Sequence, residues 1–181
     1  MKKIFFLVFL TTLILIGVIA QTSQSAAEIT FNFTRQTGSA SNQFAVWIEN
    51  AQGQFVKTLY ATRYTANGGW ERRASSIPVW VKKSNLADMT SAQVDAVTGA
   101  TPRAGALTYV WDGTDSHGAP VPAGDYVIFL EGTLRWENQV LYSAPVRLGQ
   151  GAAVPAVKVE YSSDPMPERV MIEDVKVRTL R

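Results

Sequence analysis

From Glu28 the chain alternates apolar and polar side chains, with Ile29, Phe31 and Phe33 on one side and Thr30, Asn32 and Thr34 on the other. Successive side chains on a strand point to opposite faces, so this period of two predicts a strand with one buried face. Residues 43 to 49 repeat the signal, with Phe44, Val46 and Ile48 on one face and Ala45 and Trp47 on the other. The turn residues Ala51-Gln52-Gly53-Gln54 lead into a third run, Phe55 to Tyr60. Three runs in succession predict a meander. Strand character returns at 106–111, 125–131, 139–143, 156–161 and 170–177. The Gly-, Pro- and Asp-rich residues 112–124 predict the long turn of a hairpin joining the first two of these runs. Gly132 predicts a bend, and the Pro-rich residues 164–167 predict the turn of a C-terminal hairpin. About eight or nine strands with at most one or two short helices predict an all-β fold, an antiparallel β-sandwich.

The alternation fails in the middle third. Asn67-Gly68-Gly69 breaks it, and about 40 residues with little regular strand character follow. Within them, Ser76 followed by Pro78 and Val79-Trp80-Val81-Lys82-Lys83 predicts a short helix with a hydroxyl cap and proline in its first turn. Long irregular insertions between regular elements are more often functional than accidental, so a local function is expected here.

The N-terminus narrows the compartment. Lys2 and Lys3 precede an apolar run from Ile4 to Ile19 that ends at Ala20, the layout of a Sec-type signal peptide and an expected periplasmic location. Cleavage is expected after Ala20, with Ala27 as the alternative site; if uncleaved, this segment is the only expected membrane contact. A β-sandwich domain over residues 28–150 and a hairpin or strand extension over 151–181, packed on the same domain, complete the expected organisation. The whole chain carries 17 Lys plus Arg against 15 Asp plus Glu. Loss of Lys2 and Lys3 leaves 15 against 15, which removes the basic footprint that nucleic-acid binding leans on. With no cysteine, disulfides, thiolate metal sites and iron–sulfur clusters are excluded. His117 is the only histidine, which argues against a histidine zinc site or a Ser-His-Asp triad. No metal site is expected and no catalytic residue is assigned.

Within the irregular stretch, Asp95-Ala96-Val97-Thr98-Gly99-Ala100-Thr101 reads D-x-x-[ST]-G-A-T. Gly99 and Ala100 offer a narrow backbone to a modifying enzyme; the same residues, followed by Pro102, also suit an ordinary surface turn with glycine at positive φ. The pattern resembles the site at which flavin transferases attach FMN to a threonine through a phosphoester bond. That resemblance implies Thr101 as the FMN acceptor, with Asp95, Thr98, Gly99 and Ala100 around it. Such carriers usually have another serine or threonine two residues after the acceptor, where this chain has Arg103 after Pro102.

Other residues invite weaker functional readings. Tyr64, Trp70, Trp80, Arg72, Arg73, Lys82, Lys83 and Arg103 flank the motif in sequence, either as stacking and phosphate partners for a flavin or as sandwich edge and solvated rim. Glu71, Asp88 and Asp95 are carboxylates of unfixed separation. Asp112, Asp115 and Asp125 lack the spacing of a calcium loop, and bonds to their own turn amides are expected instead. Trp111 is expected as a core anchor, and His117 at an exposed turn.

The W-D-G-x-D-x-x-G-x-P-V-P-A-G-x-Y run from Trp111 to Tyr126 resembles the immunoglobulin-like part of the flagellar hook-capping protein. It implies an immunoglobulin-like sandwich and says little of activity. Together with the 45–50 strand and the V-D-A-V-T-G-A-T-P-R-A-G segment, it makes the chain similar to the predicted periplasmic proteins of domain of unknown function family 2271. This resemblance implies a flavin transferase and a membrane redox protein as partners. The leading expectation is therefore an exported FMN carrier or accessory in electron transfer, without independent catalytic activity. The alternative is a non-catalytic structural or assembly module of the cell envelope.

Overall fold

The computed structural model describes residues 25–37, 42–135, 138–163 and 170–180. The expected signal peptide and the Pro-rich turn at 164–167 lie outside these residues. Among the described residues nine strands form: β1 (Ala27–Phe33), β2 (Gln43–Asn50), β3 (Phe55–Thr62), β4 (Thr98–Gly99), β5 (Gly105–Trp111), β6 (Gly124–Arg135), β7 (Asn138–Leu148), β8 (Lys158–Tyr161) and β9 (Ile172–Thr179). Three short helices, α1 (Trp70–Arg72), α2 (Pro78–Lys83) and α3 (Ser91–Val97), lie between β3 and β4.

The strands make two sheets, one ordered β5-β1-β9 and the other β4-β3-β2-β6-β7-β8. The expected all-β sandwich is present, antiparallel except where the two residues of β4 run parallel to β3. Strand pairing differs from the expectation in three places, each for the same reason: local turn signals do not say which sheet a strand joins. The meander is broken, because β1 pairs β5 and β9 while β2 pairs β3 and β6. Residues 112–123 do not close a hairpin but carry the chain from β5 in one sheet to β6 in the other. The C-terminal runs separate likewise, β8 joining β7 and β9 joining β1.

The interior face follows the period-two pattern. Ile29, Phe31 and Phe33 of β1 meet Phe44, Val46 and Ile48 of β2 and Ile128 and Leu130 of β6, all with at most 2% exposure. Phe44 sits edge-on to Phe31 at 5.5 Å and stacks on Tyr60 at 5.0 Å, geometries favoured by the ring quadrupoles. Trp111 anchors this core as expected: it is fully buried, packs on Tyr126 at 4.9 Å and donates its indole N–H to the Thr114 carbonyl at 2.8 Å. Gly132 marks no bend; β6 runs on through it to Arg135. A Cβ there would meet Ile172 Cδ1 at 2.6 Å, so glycine lets β6 lie close under Met171 and Ile172.

Every residue of β2 except the last is buried, because its second face is covered too. Ala45, Trp47 and Ala61 form a second core with Ile77, Trp80, Leu86 and Val94 of the inserted segment. The helical insert is thus a third layer on the outer face of the larger sheet. Ala26, one residue before β1, is fully buried, donates to the Trp111 carbonyl at 2.7 Å and accepts from Leu180 N–H at 2.8 Å. Cleavage after Ala27 would remove these bonds, whereas cleavage after Ala20 would keep them.

Candidate functional site

The insert is fixed by hydrogen bonds reaching out of the sheet beneath it. The expected helix forms as α2, but Ser76 does not cap it. Its hydroxyl is buried 2.6 Å from Thr65 Oγ1, and the residue before the helix is Ile77, at φ 43° and ψ 57°. A β-branched residue rarely adopts this left-handed conformation; here the Ile77 N–H donates to Thr133 Oγ1 at 2.8 Å. The cap comes from far along the chain: Glu131 accepts from Val79 N–H at 3.1 Å and Trp80 N–H at 2.8 Å. Burial pushes the Glu131 carboxyl up from 4.5 to about 7, against the opposing pull of these two amides. On the same face Trp80 donates its indole N–H to Thr58 Oγ1 at 2.9 Å, and Glu49 accepts from Trp47 Nε1 at 2.8 Å and Lys83 Nζ at 2.6 Å. These bonds place α2 and the segment leading to the motif.

Helix α3 starts with a reciprocal cap. Thr90 Oγ1 accepts from Gln93 N–H at 3.3 Å, and the Gln93 side chain accepts from Thr90 N–H at 2.8 Å. Asp95 lies exposed in α3, and the helix runs directly into β4, where Thr98 pairs Ala61 and Gly99 pairs Thr62. The turn expected here is replaced by a short strand, and the role of Gly99 changes with it. Gly99 is not at positive φ. A Cβ on it would lie 2.7 Å from Tyr60 Cε2, so glycine is needed for close approach to that ring. Tyr60 also donates its hydroxyl to the Ala100 carbonyl at 2.7 Å, and burial pushes its phenol up to about 12, keeping it a donor. Its ring stacks on Phe44 and lies 4.9 Å from Tyr109. The motif is thereby tied to the main core.

Thr101 follows, half-buried in the irregular residues 100–104, with Arg103 and Ala104 exposed after it. Three residues earlier, Thr98 Oγ1 is buried with no hydrogen-bond partner among the described residues. An unpaired buried hydroxyl costs about 1–3 kcal/mol and calls for an explanation. The hydroxyl is also closed to solvent, so an arriving phosphate reaches it only if the segment shifts. The residues present fit a phosphoester at Thr101 in what they expose, a half-buried acceptor on a backbone that Tyr60 holds in place.

Beside the motif lies a cleft of about 740 Å³, within the size range of small-molecule sites, roughly 300–1,000 Å³. Leu59 of β3, Met89, Ala96 and Val97 of the insert and Val110 of β5 supply apolar lining, with Asn85 and Gln93 among the polar groups. Thr101 is not itself a lining residue. The cleft opens where β3 of one sheet and β5 of the other leave the side of the sandwich uncovered. His117, its side chain 85% exposed, stands at the rim.

The other tempting residues separate. Trp80 is fully buried core, while Trp70 lines a shallower depression of about 460 Å³ together with Glu71 and Asp95. Asp88 lines the larger cleft instead and accepts from Asn85 Nδ2 at 2.7 Å. Of the flanking cations, Lys83 is engaged with Glu49 and the Gly53 carbonyl, whereas Arg72, Lys82 and Arg103 are exposed. Arg73 is half-buried, which lowers its guanidinium. Two of the three aspartates bond their own turn as expected: Asp112 accepts from Thr114 N–H, and Asp115 from His117 and Ala119 N–H; Asp125, at the start of β6, instead accepts from Arg147 Nε of β7. Asp112 also pairs Lys57 at 3.1 Å.

The support that Tyr60 gives the motif was hidden in the sequence, where it is one apolar position of a strand. Only the parallel pairing of β4 brings it under Gly99 and Ala100. No curated protein and no solved structure matches the chain. The profile of the DUF2271 family, described as predicted periplasmic protein, matches residues 24–162, and the chain belongs to that family.

Proposed function

We propose that this periplasmic protein is a carrier of covalently attached FMN in extracytoplasmic electron transfer, with Thr101 as the acceptor. The family description supports the location, and a Sec-type signal at residues 1–20 is the proposed route of export. The observation that carries the reading is the motif's geometry. Thr101 stands half-exposed in an irregular segment, three residues from the unpaired Thr98 hydroxyl, on a backbone held by Tyr60. In the attachment step the Thr101 oxygen forms a bond to the FMN-side phosphorus of a flavin adenine dinucleotide donor. The hydroxyl proton is lost and adenosine monophosphate leaves. The flavin supplies the redox chemistry; the protein supplies attachment and orientation. Asp95, exposed six residues before the acceptor, is available to the transferase. A flavin transferase and a membrane redox protein are the proposed partners.

Intact mass of the full chain co-expressed with a periplasmic flavin transferase tests the reading. The mass is expected to rise by one FMN moiety and to stay unmodified in Thr101→Ala. An unmodified wild-type mass beside an active transferase would favour the second reading, a structural or assembly module of the envelope. That reading draws on β8, an edge strand with all four residues exposed, Val159 and Tyr161 among them. Exposed apolar edges pair readily with other chains.

A further inference from the structure

We propose that the cleft beside the motif seats the isoalloxazine ring of the flavin carried by Thr101. The inference rests on the carrier reading and extends it by giving the ring a fixed site.

Tether and cleft share two structural elements. Ala96 and Val97, in the last turn of α3, line the cleft, and the chain passes directly from them into Thr98. On the other side Leu59 lines it, next to Tyr60, which holds the Ala100 carbonyl. Because β4 runs parallel to β3 and away from Leu59, a flavin on Thr101 reaches the cleft by folding back along Val97 and Leu59. The lining offers apolar surface for the faces of a flat ring and polar groups for its edge, with Asp88 and the Lys57–Asp112 ion pair also along it. Leu59, Val97 and Val110 provide apolar contact, and the amides of Asn85 and Gln93 provide polar groups.

Two further observations point to an occupant. Val110 is 46% exposed, on the side of β5 whose other exposed residues are Ala106 and Thr108, so a large apolar side chain faces the cleft uncovered. Along the cleft β3 also lacks a strand partner on that side among the described residues. β4 covers only Ala61 and Thr62, and among the described residues no strand pairs that edge at Lys57, Thr58 or Leu59, all of which line the cleft. Unpaired strand edges present backbone donors and acceptors, the groups that a flavin's pyrimidine edge hydrogen-bonds.

The test is iodide quenching of flavin fluorescence in the full chain loaded by a co-expressed transferase. Two single variants, Ala96→Trp on α3 and Val110→Arg on β5, alter exposed lining side chains and leave Thr101 in place. A ring with about 80% of its surface buried, ordinary for a ligand pocket, is expected to be quenched about fivefold less than free FMN. Each variant is expected to raise quenching toward the free value while the mass adduct persists. An adduct quenched like free FMN in the wild type overturns the seat and leaves the carrier reading standing. So does a shielded ring whose quenching neither variant changes. A wild-type chain with no adduct overturns both.

Discussion

The two faces of the six-stranded sheet are both buried at β2, but by different chemistry. On the interior face Phe44, Val46 and Ile48 meet Phe31, Phe33 and Leu130 in a core of hydrocarbon and aromatic rings. On the outer face the insert packs Ile77 and Trp80 into one cluster with Ala45 and Trp47, yet its position is set by Glu131, Glu49, Thr58 and Thr133, which reach up from the strands to amides and side chains above. Apolar burial is non-directional and tolerates repacking. Hydrogen bonds from buried groups fix one arrangement and are costly to leave unmade. The sandwich interior therefore supplies stability, and the outer layer supplies the placement of the segment that carries the motif.

The largest effect is expected on the interior face. Phe44→Ala removes a fully buried ring in contact with Phe31, Phe33 and Tyr60 and should cost about 3–5 kcal/mol in denaturant unfolding. A cost near 1 kcal/mol would show that the interior can collapse around the cavity, and would blur the contrast between the faces.

Glu131 sharpens the contrast through pH. Its carboxyl rises from 4.5 to about 7 on folding, so between these values the folded protein holds a proton that the unfolded chain has released. Its contribution to stability is therefore highest at low pH, falls as pH rises from about 4.5 to about 7, and is level above. The drop across that window is ~3 kcal/mol. Asp112 works in the opposite direction and lower down, since its carboxyl falls below 3.8 beside Thr114 and Lys57, although burial opposes the shift; its stabilising share is lost only as pH falls through that lower range. Urea unfolding between pH 4.5 and 7.5 should show the decline in the wild type and a flattened profile in Glu131→Gln, whatever the absolute cost of the substitution. An identical slope in both proteins would remove Glu131 from this role.

A smaller effect is expected at the junction of the two regions. Gly99→Ala drives a Cβ against the Tyr60 ring, which is held by Phe44, Tyr109 and its bond to Ala100. The overpacking should cost about 1–3 kcal/mol in thermal or denaturant unfolding. In Gly99→Ala combined with Tyr60→Ala the two costs should be less than additive. Full additivity would mean that glycine is there for some other reason.

The same contrast explains what could be read from the sequence. Period-two runs announced β1, β2 and β3 and the interior residues on them, because alternation is local. The outer face was half legible: Ala45 and Trp47 stood out as a second apolar side of β2, but nothing nearby said that an insert some 30 residues later would cover it. The cap of α2 illustrates the limit. Ser76 carries the local signal, whereas the actual acceptor is Glu131, 51 residues beyond Trp80. Strand partners were illegible for a related reason, since the Asp- and Gly-rich run after Trp111 has the composition of a hairpin turn and serves as a crossover between sheets. The motif from Asp95 to Thr101 was visible as a pattern, but its support by Tyr60 depends on the pairing of β4 with β3. The Thr90–Gln93 cap shows the opposite case, a local T-x-x-Q pattern overlooked in the sequence although the fold uses it directly.

The central claim is that the outer layer presents Thr101 for covalent flavin attachment, and site-localised mass spectrometry of the full chain co-expressed with a flavin transferase tests it most directly. One FMN moiety located on Thr101, lost in Thr101→Ala and retained in Thr98→Ala, is the predicted result. An unmodified chain beside an active transferase, or an adduct on any other residue, would contradict it.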